Sequence, residues 1–287
     1  MRLIIILMAA GLEYVLDEFE LGHIRNFRQW GWFRGVIQFL EKQGGSIAAW
    51  NGPVGILITL GVPLLVFWLL YSFIGGMGAL FGLLFSIIVL FFCIGPKDLN
   101  TEVNSILKSM GENNEGEVSR RVQELVMSAE PIGPQSRGRT VAESLLVQAN
   151  DRIFGVVFWF LILGPLGAVL FRLASELCRY VGSTESGFAQ SGRDLYRILA
   201  WAPARLAALG YAAGGNLMKA IEAWKVKETL GLDQNEGVLK TSGIGALQFA
   251  DGAPESDQIG ATRGLIVRAV AIWLAAITAL YIIRWMA

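Results

Sequence analysis

Residues 53–74 read PVGILITLGVPLLVFWLLYSFI and contain no charged side chain. A helix needs about 20 apolar residues to cross the hydrocarbon core of a bilayer, so this stretch is long enough to span a membrane. A second apolar run, 79–94, follows after only Gly75-Gly76-Met77-Gly78. Because the connection is so short, we expect the two helices to be antiparallel neighbours. Together they predict a helical membrane protein.

The composition of the whole chain agrees with this prediction. Of its 287 residues, 54% are hydrophobic and only 17% are charged, whereas soluble domains carry about 25% charged residues. Basic and acidic residues number 24 each, which removes any electrostatic argument for nucleic acid as a partner. Two cysteines and one histidine are too few for a structural zinc site. We therefore expect the lipid bilayer as the main partner, with no metal and no cofactor.

Four further apolar segments are candidate spans: 3–16, 153–173, 199–218 and 269–283. We expect the first to be a retained helix, since it lacks the small-residue cleavage site of a signal peptide. The segment 199–218 contains Pro203 and Arg205, so crossing, re-entry and an interfacial position all remain open. The predicted fold class is all-α, a polytopic membrane helix bundle with five or six spans.

The candidate span 153–173 holds Gly164-Pro165-Leu166-Gly167 near its middle. Proline removes a backbone hydrogen bond and crowds the preceding turn, so the helix is expected to kink or break there. A kink would serve packing between neighbouring helices. A broken helix often marks a binding site in transporters, and this second interpretation stays open.

The remaining segments are polar, and most have helical spacing. Residues 17–46 mix arginines with Trp and Phe, which is typical of an amphipathic helix on the membrane surface. Residues 96–152 predict a small helical domain, placed on the cytoplasmic side because most Lys and Arg fall in loops of that side. Thr140 and Glu143 form a capping box, which predicts a helix start after a Pro- and Gly-rich loop.

The domain plan is therefore membrane helices in 1–95 and 153–287, flanking the domain at 96–152. Segments 174–198 and 219–263 are expected to be polar loops.

Ionisable and polar groups beside apolar runs are costly, so they are candidates for function. Those named as a candidate polar pocket are Glu13, Glu143, Asn150, Arg172, Glu176, Asp194 and Arg205. Either these groups pair with one another and fix helix packing, or they share a pocket that binds a ligand. The sequence contains no GxxxxGK[ST] loop, GxSxG elbow, HExxH helix or CxxC pair, so no catalytic residue is assigned.

Two blocks of sequence carry a family resemblance. The first runs from Thr140-Val141-Ala142-Glu143-Ser144 to the Gly-Pro-Leu-Gly at 164–167, and the second joins Ser191-Gly192-Arg193-Asp194 to Trp201-Ala202-Pro203-Ala204-Arg205-Leu206. The chain resembles the AmpE branch of the CobD/CbiB-like membrane family. The resemblance implies a multi-pass protein of the bacterial inner membrane, linked to β-lactamase induction and cell-wall recycling. It would act by binding a small ligand, a lipid or a partner membrane protein.

Enzymes of the wider family join an aminopropanol unit to a corrinoid propionate with ATP. They share Pro-Ala-Arg-Leu, but carry asparagine at the position of Ser144 and a pair of aspartates where this chain has Arg193-Asp194. Their His-Pro element is also absent. Since an ATP-dependent ligase needs carboxylates to hold Mg²⁺, these departures favour the AmpE-type function. An amide-forming synthase and a small-solute transporter, suggested by Glu13 and Pro165, remain alternatives. The oligomeric state is left open.

Overall fold

The computed structural model describes residues 5–6, 30–44, 50–94, 99–126, 133–225, 231–250 and 252–286. Throughout these ranges the chain is helical with short turns, and none of them contains a strand. Within the described ranges, three helices are long and apolar enough to cross a membrane: Pro53–Gly76, Ser136–Leu163 and Glu255–Ile283. The predicted all-α membrane helix bundle is therefore confirmed. Glu13 and nearly all of the candidate span 3–16 lie outside the described residues.

In chain order the helices are α1 (Gly31–Gly44), α2 (Pro53–Gly76), α3 (Ala79–Cys93), α4 (Leu99–Gly111), α5 (Glu115–Val126), α6 (Pro134–Ala149), a π-helical turn (Asn150–Phe154), α7 (Gly155–Leu163), α8 (Pro165–Val181), α9 (Gly187–Gly214), α10 (Leu217–Lys225), a 3₁₀ turn (Leu232–Gln234), α11 (Asn235–Leu247) and α12 (Glu255–Met286). They form two compact units. The first unit contains Met1–Pro96 and Asp151–Ala200, and the second contains Lys97–Asn150 and Trp201–Ala287. The boundary between the units falls inside two helical stretches.

In the first unit, α2 and α3 pack against each other as the short connection predicts. Gly78, with φ +141°, makes the turn, and the rings of Phe67 and Phe85 stack with centroids 5.8 Å apart. The helix α1 places Phe33 and Ile37 in the core. Residues 31–44 of the predicted amphipathic segment are therefore helical, as predicted. The earlier part of that segment lies outside the described residues.

The helix that leads into α7 begins earlier than the capping box predicts. It starts at Pro134, since proline suits the first turn of a helix, where an N–H would be unpaired in any case. The Thr140 hydroxyl donates to the Ser136 carbonyl at 2.8 Å, one turn back within the same helix. The prediction that Thr140 caps a helix is therefore wrong, and the expected loop at 130–139 is helical from Pro134 onward.

At Gly164 the chain reverses direction. This residue has φ +71°, a value that favours glycine because it has no Cβ. Beyond it, α8 packs back along α7, so that Gly167 lies against the Trp159 carbonyl and Gly155 lies against the Phe171 ring. The segment 153–173 is therefore an antiparallel helical hairpin, and the prediction of a single span there is wrong.

The second unit packs α6 against α11 and α12. The Tyr211 hydroxyl donates to the Leu146 carbonyl at 2.8 Å, and the Ser242 hydroxyl donates to the Ala208 carbonyl at 2.7 Å. In this unit, residues 99–111 and 115–126 form α4 and α5, as the apolar spacing in 96–152 predicts. The segments 174–198 and 219–263, expected to be loops, are largely helical, because α8, α9 and α11 occupy much of them.

Candidate functional site

Among the described residues of the first unit, the most deeply buried charges are Arg172 and Glu176 on α8. The Arg172 guanidinium donates to the Glu176 carboxylate at 2.7 Å, and their side chains are 0% and 3% exposed. Arg179 approaches the same carboxylate at 3.8 Å. The Nε and Nη1 groups of Arg172 have no hydrogen-bond partner among the described residues. The Glu176 carboxylate therefore lies near two guanidinium groups. It leaves two buried N–H groups of Arg172 without a hydrogen-bond partner among the described residues.

These two residues lie on one face of α8 because a spacing of four brings side chains together on a helix. The α7–α8 hairpin packs this helix into the unit, so the pair is removed from solvent. Burying charge is costly unless it is paired. The structure thus shows that Arg172 and Glu176 pair, which is one of the two interpretations that the sequence left open.

A cavity of about 390 Å³ lies in the first unit. Its walls come from α1, α2, α3 and α8, together with Trp30, and are almost entirely apolar. From α8 it takes Val169 and Leu173, and from the end of α3 it takes Cys93. Sequence reasoning missed this cavity, because Trp30 and Trp32 were assigned to the membrane surface by their arginine neighbours.

Asp194 stands apart from this buried pair. Its carboxylate accepts from the Gln190 amide at 2.9 Å and lies 3.1 Å from the Arg197 guanidinium, with its side chain 51% exposed. The neighbouring Arg193 donates to the carbonyls of Gly182 and Thr184, at 3.0 Å each. Arg193 therefore ties the loop between α8 and α9 to the start of α9.

A polar contact that the sequence did not predict joins the π-helical turn to α9. The Tyr196 hydroxyl donates to the Asp151 carboxylate in the π-helical turn. Such turns often occur at functional sites. The Asn-Asp-Arg sequence at 150–152 was the available signal, but nothing in it indicated Tyr196 as the partner.

The second unit holds the other named residues. Glu143 on α6 pairs with Arg139 one turn earlier at 3.1 Å and is partly exposed. Asn150 is buried at the end of this unit's first segment. Arg205 donates to the Asn235 side chain at 2.6 Å and stacks over the Trp201 ring at 4.5 Å. Burial lowers the pKa of the Arg205 guanidinium from its ordinary value.

Another buried arginine in this unit was not among the predicted site residues. Arg137 donates from Nε to Glu255 at 2.7 Å and from Nη1 to Glu115 at 2.9 Å. It thereby joins α6 to α12 and α5. The three residues are far apart in the sequence, so no local motif could indicate the cluster.

Among the described members of the seven named residues, Arg172 and Glu176 are in direct contact. Glu143, Asp194 and Arg205 each bind other neighbours, and Glu13 lies outside the described residues. Within the described ranges, His, Cys, Asp and Glu form no group of three or more that could hold a metal ion. A single pocket shared by all seven stays a prediction.

Taken together, these features define an all-helical membrane protein with a buried ion pair and an apolar cavity. The model of the CobD/Cbib protein family matches residues 6–256, which is most of the chain, so the chain belongs to that family. The family resemblance drawn from the two sequence blocks is confirmed at this level. The AmpE branch remains a proposal.

Two curated relatives are similar to the chain over about two thirds of its length. The cobalamin biosynthesis protein CobD of Stutzerimonas stutzeri (strain A1501) is 27% identical over 216 residues, which cover 67% of this chain and 71% of the relative. The protein of the same name from Chromobacterium violaceum is 27% identical over 210 residues, covering 65% of this chain and 67% of the relative. No solved structure matches the chain significantly.

Proposed function

We propose that the chain is a multi-pass regulatory protein of the bacterial inner membrane, of the AmpE type, which acts by binding a ligand. The observation that carries the proposal is the role of residues 193 and 194. Related synthases place two aspartates here, whereas Arg193 binds backbone carbonyls and Asp194 makes partly exposed contacts with Gln190 and Arg197. An arginine cannot supply a carboxylate to Mg²⁺, so this position is better suited to a structural role.

The first unit supports a binding function. Its cavity has a volume within the range of ligand pockets, roughly 300–1,000 Å³, and the unpaired donors of Arg172 lie in the same unit. The link to β-lactamase induction comes from the resemblance of the two sequence blocks to AmpE proteins. The inner-membrane location has the same source, together with the candidate spans.

The test is performed in a bacterium that carries this gene and an inducible β-lactamase. The gene is deleted, and β-lactamase activity is measured before and after induction, with wild type or Asp194→Asn returned to the chromosome. We expect the deletion to change induction and both versions to restore it, since the contacts of Asp194 are on the surface. Unchanged induction in the deletion strain would refute the regulatory role.

A second candidate function is an ATP-dependent amide synthase of the cobalamin type. The family match and both curated relatives favour it more directly than they favour the AmpE-type function. Glu143 and Asp194 are the carboxylates in the two sequence blocks that resemble those enzymes. Purified protein is incubated with Mg-ATP, aminopropanol and a corrinoid carboxylate, with Asp194→Asn as the control. Amide product from wild type but not from this variant would establish the synthase.

A further inference from the structure

The second half of α9, residues 201–214, belongs to the second unit and has an exposed apolar face. Leu206 and Leu209 are 42% and 47% exposed, and Ala213 is exposed as well. Spacings of three and four residues bring these side chains to one side of a helix. The other side is buried and is formed by Ala204, Ala207, Ala208, Tyr211 and Ala212. This half of α9 therefore packs into the unit with one face and turns an apolar face outward.

The one charged side chain of this segment is turned towards protein. Among residues 201–214 only Arg205 is charged, and it is 8% exposed. Its guanidinium donates to the Asn235 side chain at 2.6 Å and to the Gly231 carbonyl at 2.9 Å. Arg205 therefore points towards the start of α11. In membrane proteins, charged side chains almost always face the protein interior or a water-filled cavity and not lipid.

The helix α12 runs beside this half of α9. The Trp273 indole donates to the Leu206 carbonyl at 3.3 Å, and Arg268 Nε donates to the Gly214 carbonyl at 2.7 Å. Between these contacts lies Gly210, where a Cβ would be 3.1 Å from the indole nitrogen of Trp273. The contacts advance along α9 as they go back along α12, so the two helices are antiparallel neighbours.

The outer face of α12 indicates what surrounds α9. Residues 269–283 contain no charged side chain, and they belong to a helix that is long and apolar enough to cross a membrane. Leu280 and Ile283 in this run are 67% and 59% exposed. In a membrane helix bundle, an exposed uncharged surface of this kind faces the hydrocarbon of the bilayer. Because Trp273 lies within the run and binds Leu206, the exposed face of α9 adjoins the lipid-facing surface of α12.

We infer that the face of α9 formed by Leu206, Leu209 and Ala213 contacts the hydrocarbon of the bilayer beside α12. This half of α9 thereby separates the lipid from the polar contacts that Arg205 makes with Asn235. Lipid contact at this face goes beyond the proposed function, because it holds for a regulatory protein and for a synthase alike.

The test places a nitroxide spin label on Leu209→Cys in the full-length protein, reconstituted into phosphatidylcholine vesicles. Electron paramagnetic resonance then measures collisions of the label with O₂, which concentrates in hydrocarbon, and with a neutral nickel chelate, which stays in water. Leu280→Cys on α12 is the lipid reference. Glu222→Cys on α10 is the water reference, since the Glu222 side chain is 64% exposed. The protein with its native cysteines alone supplies the background signal.

We expect the label on Leu209→Cys to collide frequently with O₂ and rarely with the nickel chelate, as the label on Leu280→Cys does. The ratio of the two collision rates should be several-fold higher than for Glu222→Cys, and Ala213→Cys on the same face should repeat the result. Frequent collisions with the nickel chelate at both positions would place the face in water and overturn the inference. Rare collisions with both reagents would mean that protein, such as a second copy of the chain, covers the face, which would equally overturn it.

Discussion

The helical hairpin at Gly164 makes a sharp prediction about two glycines on its inner faces. A Cβ added at Gly167 would lie 2.3 Å from the Trp159 carbonyl oxygen, and one added at Gly155 would lie 2.2 Å from the Phe171 ring. Both distances are far below van der Waals contact, so Gly167→Ala and Gly155→Ala must push α7 and α8 apart. Overpacking of this kind costs about 1–3 kcal/mol.

The two substitutions should differ in how they can be relieved. At Gly167 the obstacle is backbone, which cannot move aside, so the loss is expected at the upper end of that range, about 3 kcal/mol. At Gly155 the obstacle is an aromatic side chain. Shortening it with Phe171→Leu in the Gly155→Ala background should recover part of the loss, although Phe171→Leu alone is destabilising because it leaves a void.

The assay is reversible unfolding in detergent micelles, followed by circular dichroism. Gly61→Ala is the matched control, since nothing lies within 4 Å of a Cβ at that position of α2. It should be neutral or stabilising by up to about 1 kcal/mol, the helix propensity difference between alanine and glycine. If Gly155→Ala and Gly167→Ala behave like Gly61→Ala, or if Phe171→Leu gives no recovery, α7 and α8 do not form this hairpin.

Three further perturbations test the charged groups. Glu176→Gln leaves the buried Arg172 charge uncompensated and should lower the free energy of unfolding by about 3–5 kcal/mol. The double variant with Arg172→Gln should lose less stability, because no unpaired charge stays buried. A double variant that is less stable than Glu176→Gln would contradict the pairing. Arg137→Gln should lower the free energy of unfolding, followed by thermal denaturation, by about 1–3 kcal/mol, since its two glutamate partners can turn to water. An unchanged melting temperature would contradict the role of Arg137 in joining α6 to α12 and α5. Hydrogen bonding to Arg120 lowers the pKa of the Glu117 carboxyl from 4.5 to about 2, so its contribution is complete above pH 4.5 and is lost as pH falls towards 2. Amide protection in α5, taken relative to the intrinsic exchange rate at each pH, should fall over that window, and an equal fall with Arg120→Gln would contradict this cause.

The parts of the fold that were predictable are those where one local pattern decides the structure. The uncharged run at 53–74 predicts α2 because an apolar helix of that length is long enough to span a membrane. Its four-residue connection to the next run predicts the antiparallel packing of α3. Apolar spacing in the polar region predicts α4 and α5, since one face of each packs into the second unit.

The parts that failed depend on contacts between distant residues. A Gly-Pro pair is compatible with a kink and with a reversal, and the difference here lies in how Gly155 and Gly167 accommodate Phe171 and Trp159. The Pro- and Gly-rich stretch before Arg139 suggested a loop, but Pro134 occupies the first turn of a helix, where proline is favoured.

The candidate site was predictable only in part, for the same reason. Arg172 and Glu176 lie four residues apart, and their pairing is one of the two interpretations that the sequence left open. Trp30 and side chains of four helices line the cavity. No local sequence pattern indicates that these residues come together in the folded chain. The Arg137 cluster joins residues from three helices, so it too appears only in the folded chain.

The central proposal is that this member of the CobD/CbiB family acts by binding a ligand and not as a cobalamin-type amide synthase. It is tested most directly by expressing the chain in a bacterium whose own cobalamin-type amide synthase gene has been deleted and whose growth requires cobalamin. Membrane insertion is verified in the same cells, and the deleted synthase is returned as the positive control. The account predicts no growth without added cobalamin when only this chain is present. Growth with the wild-type chain that is lost with Asp194→Asn would contradict it and establish the synthase function.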